Sequence, residues 1–351
     1  MIETIKVGLT GFGISAKVFH APFLKQSQHF TVTAVLERHK QESKILFPGA
    51  VIVTNFEDLL NKDVDLIVIT TPNDTHYSYS LKALQAGKHV VVEKPFTIYS
   101  YEAAELIKIA KEKNLLLAVY QNRRYVSDYL TIRKILQQNL LGEVHTFEAH
   151  YDRYRAEERP NSWREKPLPG SGILYDLGAH LIDQALSFFG LPKYITAQER
   201  LQRPHAKATD WFDVRLDYDF LQVRLAAGML VVEPGPRYII HGTNGSFIKN
   251  GEDPQEAKLR AGEMPGLHFG KEDESIYGML YTIKDGKRIK KKIVSEEGNY
   301  GLFYEDVYNA LLRKIPFVIK PEEAFNVIKL IELAEESSSK KCTLKCEGLM
   351  H

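Results

Sequence analysis

Only two cysteines, Cys342 and Cys346, occur in 351 residues, and both sit in a Lys-rich tail. Two thiols four apart near a terminus make no disulfide framework and are expected to be free, as a reduced, cytoplasmic setting allows. Net charge is equally scarce: 46 basic residues against 45 acidic ones leave +1 at neutral pH. Bulk attraction to nucleic acid or to an anionic membrane surface is therefore not expected. No apolar run approaches the roughly 20 residues that span a bilayer. Nor is there a signal-peptide pattern, because Ile5 to Leu9 already reads as a first strand. Repeats and low-complexity tracts are absent too.

What is present begins with rotation. Strand-like runs stand at 5–9, 30–36, 50–53, 66–70, 89–92 and 115–120, with helical patterns at 14–27, 40–46, 56–60, 75–86 and 100–113 between them. Strict alternation of this kind predicts βαβ units and a doubly wound parallel sheet. Ser100 is expected to cap the last of these helices. After Gln121 the grammar changes. A helix near 128–139, a strand at 144–154, a Pro/Gly loop at 160–172 and a helix at 175–189 precede strands that follow each other closely. In DVRLDYD (213–219), Val214, Leu216 and Tyr218 alternate with charged residues, the mark of an antiparallel sheet with one wet face. Strands at 224–232 and 237–241, a surface loop at 250–275 and helices at 303–313 and 322–337 complete the reading. The expected fold is α/β: a dinucleotide-binding domain over 1–122, then an α+β domain over 123–351 built on an open, mostly antiparallel sheet. The last helix is expected to pack back on the first domain.

The first strand runs into Gly11-Phe12-Gly13-Ile14-Ser15-Ala16, which fits G-x-G-x-x-G/A. Glycines there let the backbone turn tightly and approach a pyrophosphate, and a following helix offers oriented N–H groups. The loop also fits a kinase glycine loop, but no H-R-D or D-F-G follows, and no Walker lysine motif exists. Glu37 ends the second strand, where a carboxylate binds the adenosine ribose hydroxyls and disfavours a 2′-phosphate. Arg38 beside it can stack on adenine or reach that phosphate. The cofactor is thus NAD or NADP, with a slight lean to NAD. Thr71-Pro72-Asn73 makes a tight turn at the fourth strand end, able to line the cofactor site, with His76 a cofactor neighbour or simply a capping histidine. The fifth strand, His89 to Val92, is apolar yet delivers Glu93 and Lys94 before Pro95 stops it. A parallel strand's C-terminal end is where such folds place ligands.

Together the glycine turn, TPN, E-K-P and a later D-L-G-x-H resemble the glucose–fructose oxidoreductase, inositol dehydrogenase and MocA family across essentially the whole chain. GFGISAKVFHAPFL (11–24), YQNRRY (120–125), SWRE (162–165) and GILYDLGAHLIDQAL (172–186) are similar to the branch with NADP-linked scyllo-inositol dehydrogenases. The resemblance implies that Lys94 is the catalytic-site lysine, with Asp176 and His180 its partners, and that Asn122 belongs with the cofactor-binding residues. Glu37 departs from the small or basic residue of NADP-linked members.

The residues themselves support such chemistry. Asp176 and His180 are i and i+4 and share a helical face, which Asp183 extends. A carboxylate beside an imidazole fixes the tautomer a general acid/base needs. Lys94 can polarise a substrate alcohol or carbonyl. Each also has a plain structural reading: a surface Asp/His pair, or a snorkelling strand-end lysine. Three ligands on one helix splay over two turns, so no metal is expected. Arg153, Tyr154, Trp163, Arg164 and Tyr175 gather around the Gly/Pro loop and suit a hydroxylated ring, although Trp163 can equally pack beneath that loop. Of Arg123 and Arg124, one is expected to be structural. Phe12, His20 and Pro22 are placed near the nicotinamide.

The leading expectation is an NAD(P)-dependent dehydrogenase acting on the CH–OH group of a cyclic polyol or sugar. A non-catalytic dinucleotide sensor is the competitor, and hydrolysis through transient oxidation is a third. Small-molecule substrates, no nucleic acid, no membrane and a homodimer or larger homo-oligomer complete the expectations. The oligomer is argued from an apolar patch that Leu225 and Met229 allow on the open sheet.

Overall fold

The computed structural model describes residues 4–159 and 162–351; Pro160 and Asn161, with which the expected Pro/Gly loop begins, lie outside the described residues. Contacts divide the chain into two units. The first takes Met1–Asn122, Gln255–Phe269 and Asn299–Phe325, and the second takes Arg123–Pro254, Gly270–Gly298 and Asn326–His351. The chain therefore returns to its first unit twice, where the sequence suggested a single crossing.

In the first unit, β1 (Ile5–Thr10), β2 (Phe30–Leu36), β3 (Val51–Val53), β4 (Leu66–Ile69), β5 (His89–Val92) and β6 (Leu117–Val119) form one parallel sheet in the order 3-2-1-4-5-6. Every residue of β4, and Val90 to Val92 of β5, is buried, which is why these strands are continuous aliphatic runs. Each such side chain contributes ~1.5–3 kcal/mol by leaving water. The order reverses between β1 and β4, and that reversal opens a crevice at the strand C-termini. The helix after β1 is a five-residue π turn, Ala16–His20, continued by α1 (Ala21–Gln26). Next come α2 (Phe56–Leu60), α3 (His76–Gln85) and α4 (Ser100–Glu112). The stretch expected as a helix at 40–46 is a 3₁₀ turn, Glu42–Ile45. The cap of α4 is Tyr99, not Ser100: Tyr99 is extended, and its N–H donates to Glu102 Oε2 at 3.1 Å. Ala103, Leu106, Ile107 and Ala110 make the buried stripe of α4.

The second unit starts with α5 (Ser127–Gln137) and also holds α6 (Ala179–Phe189), which extends a π turn at Leu174–Gly178. The expected loop at 250–275 contains α7 (Gln255–Arg260), which belongs to the first unit, as does α8 (Gly301–Leu312). The last helix, α9 (Pro321–Lys340), has its first residues, to Phe325, in the first unit and the rest in the second.

Nine strands build the second sheet: β7 (Val144–His150), β8 (Tyr194–Arg200), β9 (Trp211–Tyr218), β10 (Leu221–Gly228), β11 (Tyr238–Gly242), β12 (Gly245–Lys249), β13 (Met279–Lys284), β14 (Lys287–Lys292) and β15 (Leu344–Lys345). Their order is 14-13-12-11-7-10-9-8-15, antiparallel except for β7 with β10. Phe212, Val214 and Leu216 are buried while Arg215 is exposed. The proposed patch for a second copy does not exist: Leu225 is 0% and Met229 7% exposed within this chain. The wet face instead carries Arg224, bonded to Asp213 Oδ2 at 2.7 Å.

Candidate active site

The crevice of the first unit has a volume of about 520 Å³ and is lined by Gly11 and Phe12 from the β1 turn, by Glu37 to Lys40 after β2, and by Thr71 and Pro72 after β4. That size suits a small-molecule or cofactor site. Gly11 has φ +79°, a left-handed conformation that a side chain disfavours. A Cβ on Gly13 would meet nothing within 4 Å, so the space before the turn is open to a pyrophosphate. Ile14 lies exposed beside it. Asp74, Thr75 and Tyr79 also line the crevice, and no motif announced them. Tyr79 is fixed there by stacking on Phe56 at 4.0 Å. Asn73, of the TPN turn, and Asn122 are buried.

Glu37 lines the crevice and also bonds the turn that follows it. Its Oε1 accepts from the Glu42 N–H at 3.1 Å, and its Oε2 accepts from the Ser43 N–H at 3.2 Å and from the Ser43 hydroxyl. The carboxylate thus supports the 42–45 turn, whose orphan N–H groups need an acceptor. Arg38, His39 and Lys40 are exposed around it. This end of the crevice carries both signs of charge: Arg38 and Lys40 stand with Glu37 and Glu42, and Lys40 Nζ lies 3.5 Å from Glu42 Oε1.

The buried glutamate after β5 has a similar fate. Glu93 Oε1 contacts the Ser15 hydroxyl and lies 3.0 Å from His20 Nε2, and its Oε2 accepts from the Lys94 N–H at 3.1 Å. His20 Nδ1 in turn meets the Tyr304 hydroxyl at 2.7 Å. Burial pushes the Glu93 carboxyl up, but His20, Ser15 and the Lys94 charge outweigh it and hold the group below its ordinary value. Glu93 is thus a brace from the glycine turn to the end of β5, not a ligand exposed in the crevice. His20, wholly buried, is part of that brace, and Pro22 sits buried in the first turn of α1. His76 is a second brace: Nδ1 lies 2.7 Å from the Pro95 carbonyl and Nε2 3.0 Å from that of Thr71. Burial lowers its pKa, against the pull of the Pro95 carbonyl and of Glu93. Lys94 follows Glu93 half-buried, its neighbours held from two sides.

In the second unit, Asp176 lies in the π turn and His180 in the first turn of α6, where it is 5% exposed. Asp176 Oδ1 accepts from Arg164 Nε at 3.2 Å, and that guanidinium lies 4.5 Å over the Trp163 ring. Asp183 follows His180 by three residues on α6 and is engaged by an arginine. Its carboxylate takes Arg124 Nε at 2.8 Å and Nη2 at 2.6 Å in a buried bidentate pair. Arg124 is thereby structural, and the carbonyl of buried Arg123 accepts from Gln184 Nε2 at 3.0 Å. Among the described residues no group of three His, Cys, Asp or Glu is placed to hold a metal ion, and no helix is long and apolar enough to cross a membrane.

The ring-binding set is only partly assembled. Trp163, Arg164 and Asp176 meet, and Arg153 lies within electrostatic reach of Arg155. Tyr154 is 61% exposed, bridged through its backbone to Leu230. Tyr175 is buried, and its hydroxyl lies 3.5 Å from the Glu335 carboxylate on α9. A narrow cavity of about 20 Å³ beside Asp176 brings in Arg155, Arg159 and Arg203, which the sequence reading did not single out.

Comparison with known proteins places both units. Residues 5–121 match the oxidoreductase family, NAD-binding Rossmann fold, and residues 133–345 match the oxidoreductase family, C-terminal alpha/beta domain. The NADP+-dependent scyllo-inositol 2-dehydrogenase IolW of Bacillus subtilis is 40% identical over 99% of this chain and 97% of its own. The oxidoreductase YdgJ of Escherichia coli is 40% identical over 98% of this chain and 99% of its own. Among solved structures, yvaA of Bacillus subtilis superposes with a TM-score of 0.95 at 40% identity, covering 98% of this chain and 99% of that one.

Proposed function

The chain belongs to the GFO/IDH/MocA oxidoreductase family, and from that premise we propose that it oxidises a secondary alcohol of a cyclic polyol or sugar to a ketone with NADP+. It is a dehydrogenase acting on CH–OH groups, with a Rossmann domain for a nicotinamide dinucleotide. The observation that carries the reading is the open Gly11–Gly13 turn facing the crevice, with Lys94 at the end of β5 in the same sheet. Gly11 to Ser15 would hold the pyrophosphate. The nicotinamide, when bound, accepts or returns the hydride. Lys94 Nζ donates a hydrogen bond to the substrate oxygen and stabilises the alkoxide-like charge that develops there. The His180 imidazole takes the hydroxyl proton, with Asp176 one helical turn before it.

NADP+ is favoured over NAD because Glu37 is engaged by Glu42 and Ser43, while Arg38 stands exposed beside it at the adenosine end. A guanidinium or ammonium there pairs with a 2′-phosphate. The NADP+ named for the 40%-identical inositol dehydrogenase agrees with this reading. A panel of inositols and sugars run with NADP+ and with NAD+, following reduced nicotinamide, tests it. Turnover is expected with NADP+ preferred, and Arg38→Ala should cost NADP+ roughly tenfold or more, against a few-fold for NAD+. A wild-type preference for NAD+, or no turnover across the panel, counts against the proposal.

A further inference from the structure

The cavity beside Asp176 is lined mostly by charge of one sign. Arg155, Arg159, Arg164 and Arg203 face it, with Glu165 and Asp176 the acidic side chains on its wall. Two of these arginines are already neutralised. Arg203 donates from Nη2 to Glu165 at 2.6 Å and from Nε to Asp210 at 3.0 Å, and Arg164 pairs with Asp176 at 3.2 Å. Arg155 and Arg159 have no carboxylate within ion-pair distance among the described residues. Neighbouring Glu158 accepts from the Lys207 backbone N–H. Arg203 Nη1, buried with its residue 4% exposed, has no hydrogen-bond partner among the described residues.

The backbone holds these groups deliberately close. Beyond β7 the chain stays extended: the Arg153 N–H donates to the Gly228 carbonyl at 2.9 Å, and the Arg155 N–H to that of Met229 at 2.7 Å. Residues two apart on an extended chain share a face, so Arg153 and Arg155 do. The Arg155 guanidinium is pushed below its ordinary value, by burial first and then by Arg159 and Arg153. Like charges gathered this way are costly unless an anion joins them. A cavity of about 20 Å³ admits the tip of a small group and not a sugar ring.

We propose that the substrate is a hydroxylated ring bearing one anionic arm, a carboxylate or a phosphate ester, and that Arg155 and Arg159 hold that arm beside Asp176. The proposal deepens the dehydrogenase reading and rests on it for the ring and the hydride. An oxyanion matches guanidinium geometry in two-point hydrogen bonds, while Arg203 Nη1 offers a further donor at the cavity floor. Glu165 and Asp176 offset part of this charge, and a neutral polyol adds no charge partner of its own.

Calorimetric titration of the whole protein with matched pairs tests this: glucuronate against glucose, and myo-inositol 1-phosphate against myo-inositol. At least one charged member should bind tenfold or more tightly than its neutral partner. Whichever pair shows the gap identifies the arm as carboxylate or phosphate. Arg155→Gln and Arg159→Gln should each shrink the gap several-fold, with Arg155→Lys recovering part of it and NADP+ affinity unchanged. Equal binding of both members in both pairs, no binding by any charged member, or a gap that survives both Gln variants overturns the proposal. If a charged ligand binds through these arginines but NADP+ is reduced with no member of the pairs or of the wider panel, the anion site stands and the hydride-transfer reading falls.

Discussion

The two units keep buried carboxylates by different means. In the first, Glu37 is satisfied by two backbone N–H groups and a serine hydroxyl, and Glu93 by a serine, an imidazole and a backbone N–H. In the second, arginine and lysine side chains do the work, from as near as seven residues and as far as 109: Arg203 on Asp210, Lys249 on Glu272, Arg124 on Asp183 and Arg237 on Asp128. The Glu37 donors come from five and six residues on, whereas Ser15 and His20 reach Glu93 from 78 and 73 residues away. Among the described residues, neither carboxylate takes a lysine or arginine side chain as a hydrogen-bond partner. Distant ion pairs instead fix how far-apart segments pack, and they fail badly when halved. Most charge buried in the second unit thus serves architecture.

The largest effect should come from halving a pair in the second unit. Arg124→Met strands the Asp183 carboxylate, which is 1% exposed, and breaking such a pair typically costs about 3–5 kcal/mol. Arg124→Met with Asp183→Leu should recover much of that, because it removes the uncompensated charge as well. Glu37→Gln in the first unit keeps an acceptor for the Ser43 donors and should cost only about 1 kcal/mol. Urea unfolding of these three variants measures the contrast. Equal losses for Arg124→Met and Glu37→Gln would erase the distinction between the units.

Lys94 sharpens the comparison from the functional side. Lys94→Ala should lower kcat by about 10²–10³-fold, the usual cost of losing one donor to a developing charge. Its unfolding midpoint and NADP+ affinity should stay near those of the wild-type protein. His180→Asn should lower kcat as well, and the double variant should be less than additive if the two residues serve one step. Turnover of Lys94→Ala within a few-fold of wild type removes the lysine from the mechanism.

What the sequence made legible was local. The glycine turn, the aliphatic runs of β4 and β5 and the alternation in β9 are written within a few residues of where they act. What stayed hidden has another cause, a partner supplied from elsewhere. Glu37 stood where a ribose ligand belongs, and only folding of the 42–45 turn shows Ser43 taking its carboxylate. Asp183 shared a helical face with His180, but Arg124 is 59 residues earlier in the chain. The Tyr175 hydroxyl meets Glu335, 160 residues on. The arginine cavity draws on segments spread from Arg155 to Met229, so no window of sequence contains it. Strand β14, KRIKKK, is exposed throughout and carries no apolar alternation. Its one signal was Asp285-Gly286, both at positive φ, the two-residue hairpin turn that joins it to β13.

Glu335 is the exception within the second unit and offers the smallest but most diagnostic test. No cation pairs with it among the described residues; its one hydrogen bond is from the Tyr175 hydroxyl, and Glu199 lies nearby. Desolvation, then Glu199, raises its carboxyl from 4.5 to about 7. A raised acid favours the folded state fully only below the unfolded value. As pH climbs from 4.5 to about 7 the unfolded chain ionises first, and the native state loses that advantage. Glu335→Gln cannot ionise, so relative to wild type it should gain stability across that window and level off above it. Glu335 is exposed, and water will mute the size of the change without altering its sign. Urea midpoints at pH 5 and pH 8 for both proteins suffice. Parallel values at the two pH settings would mean that Glu335 ionises normally and that the second unit tolerates an unpaired carboxylate without cost.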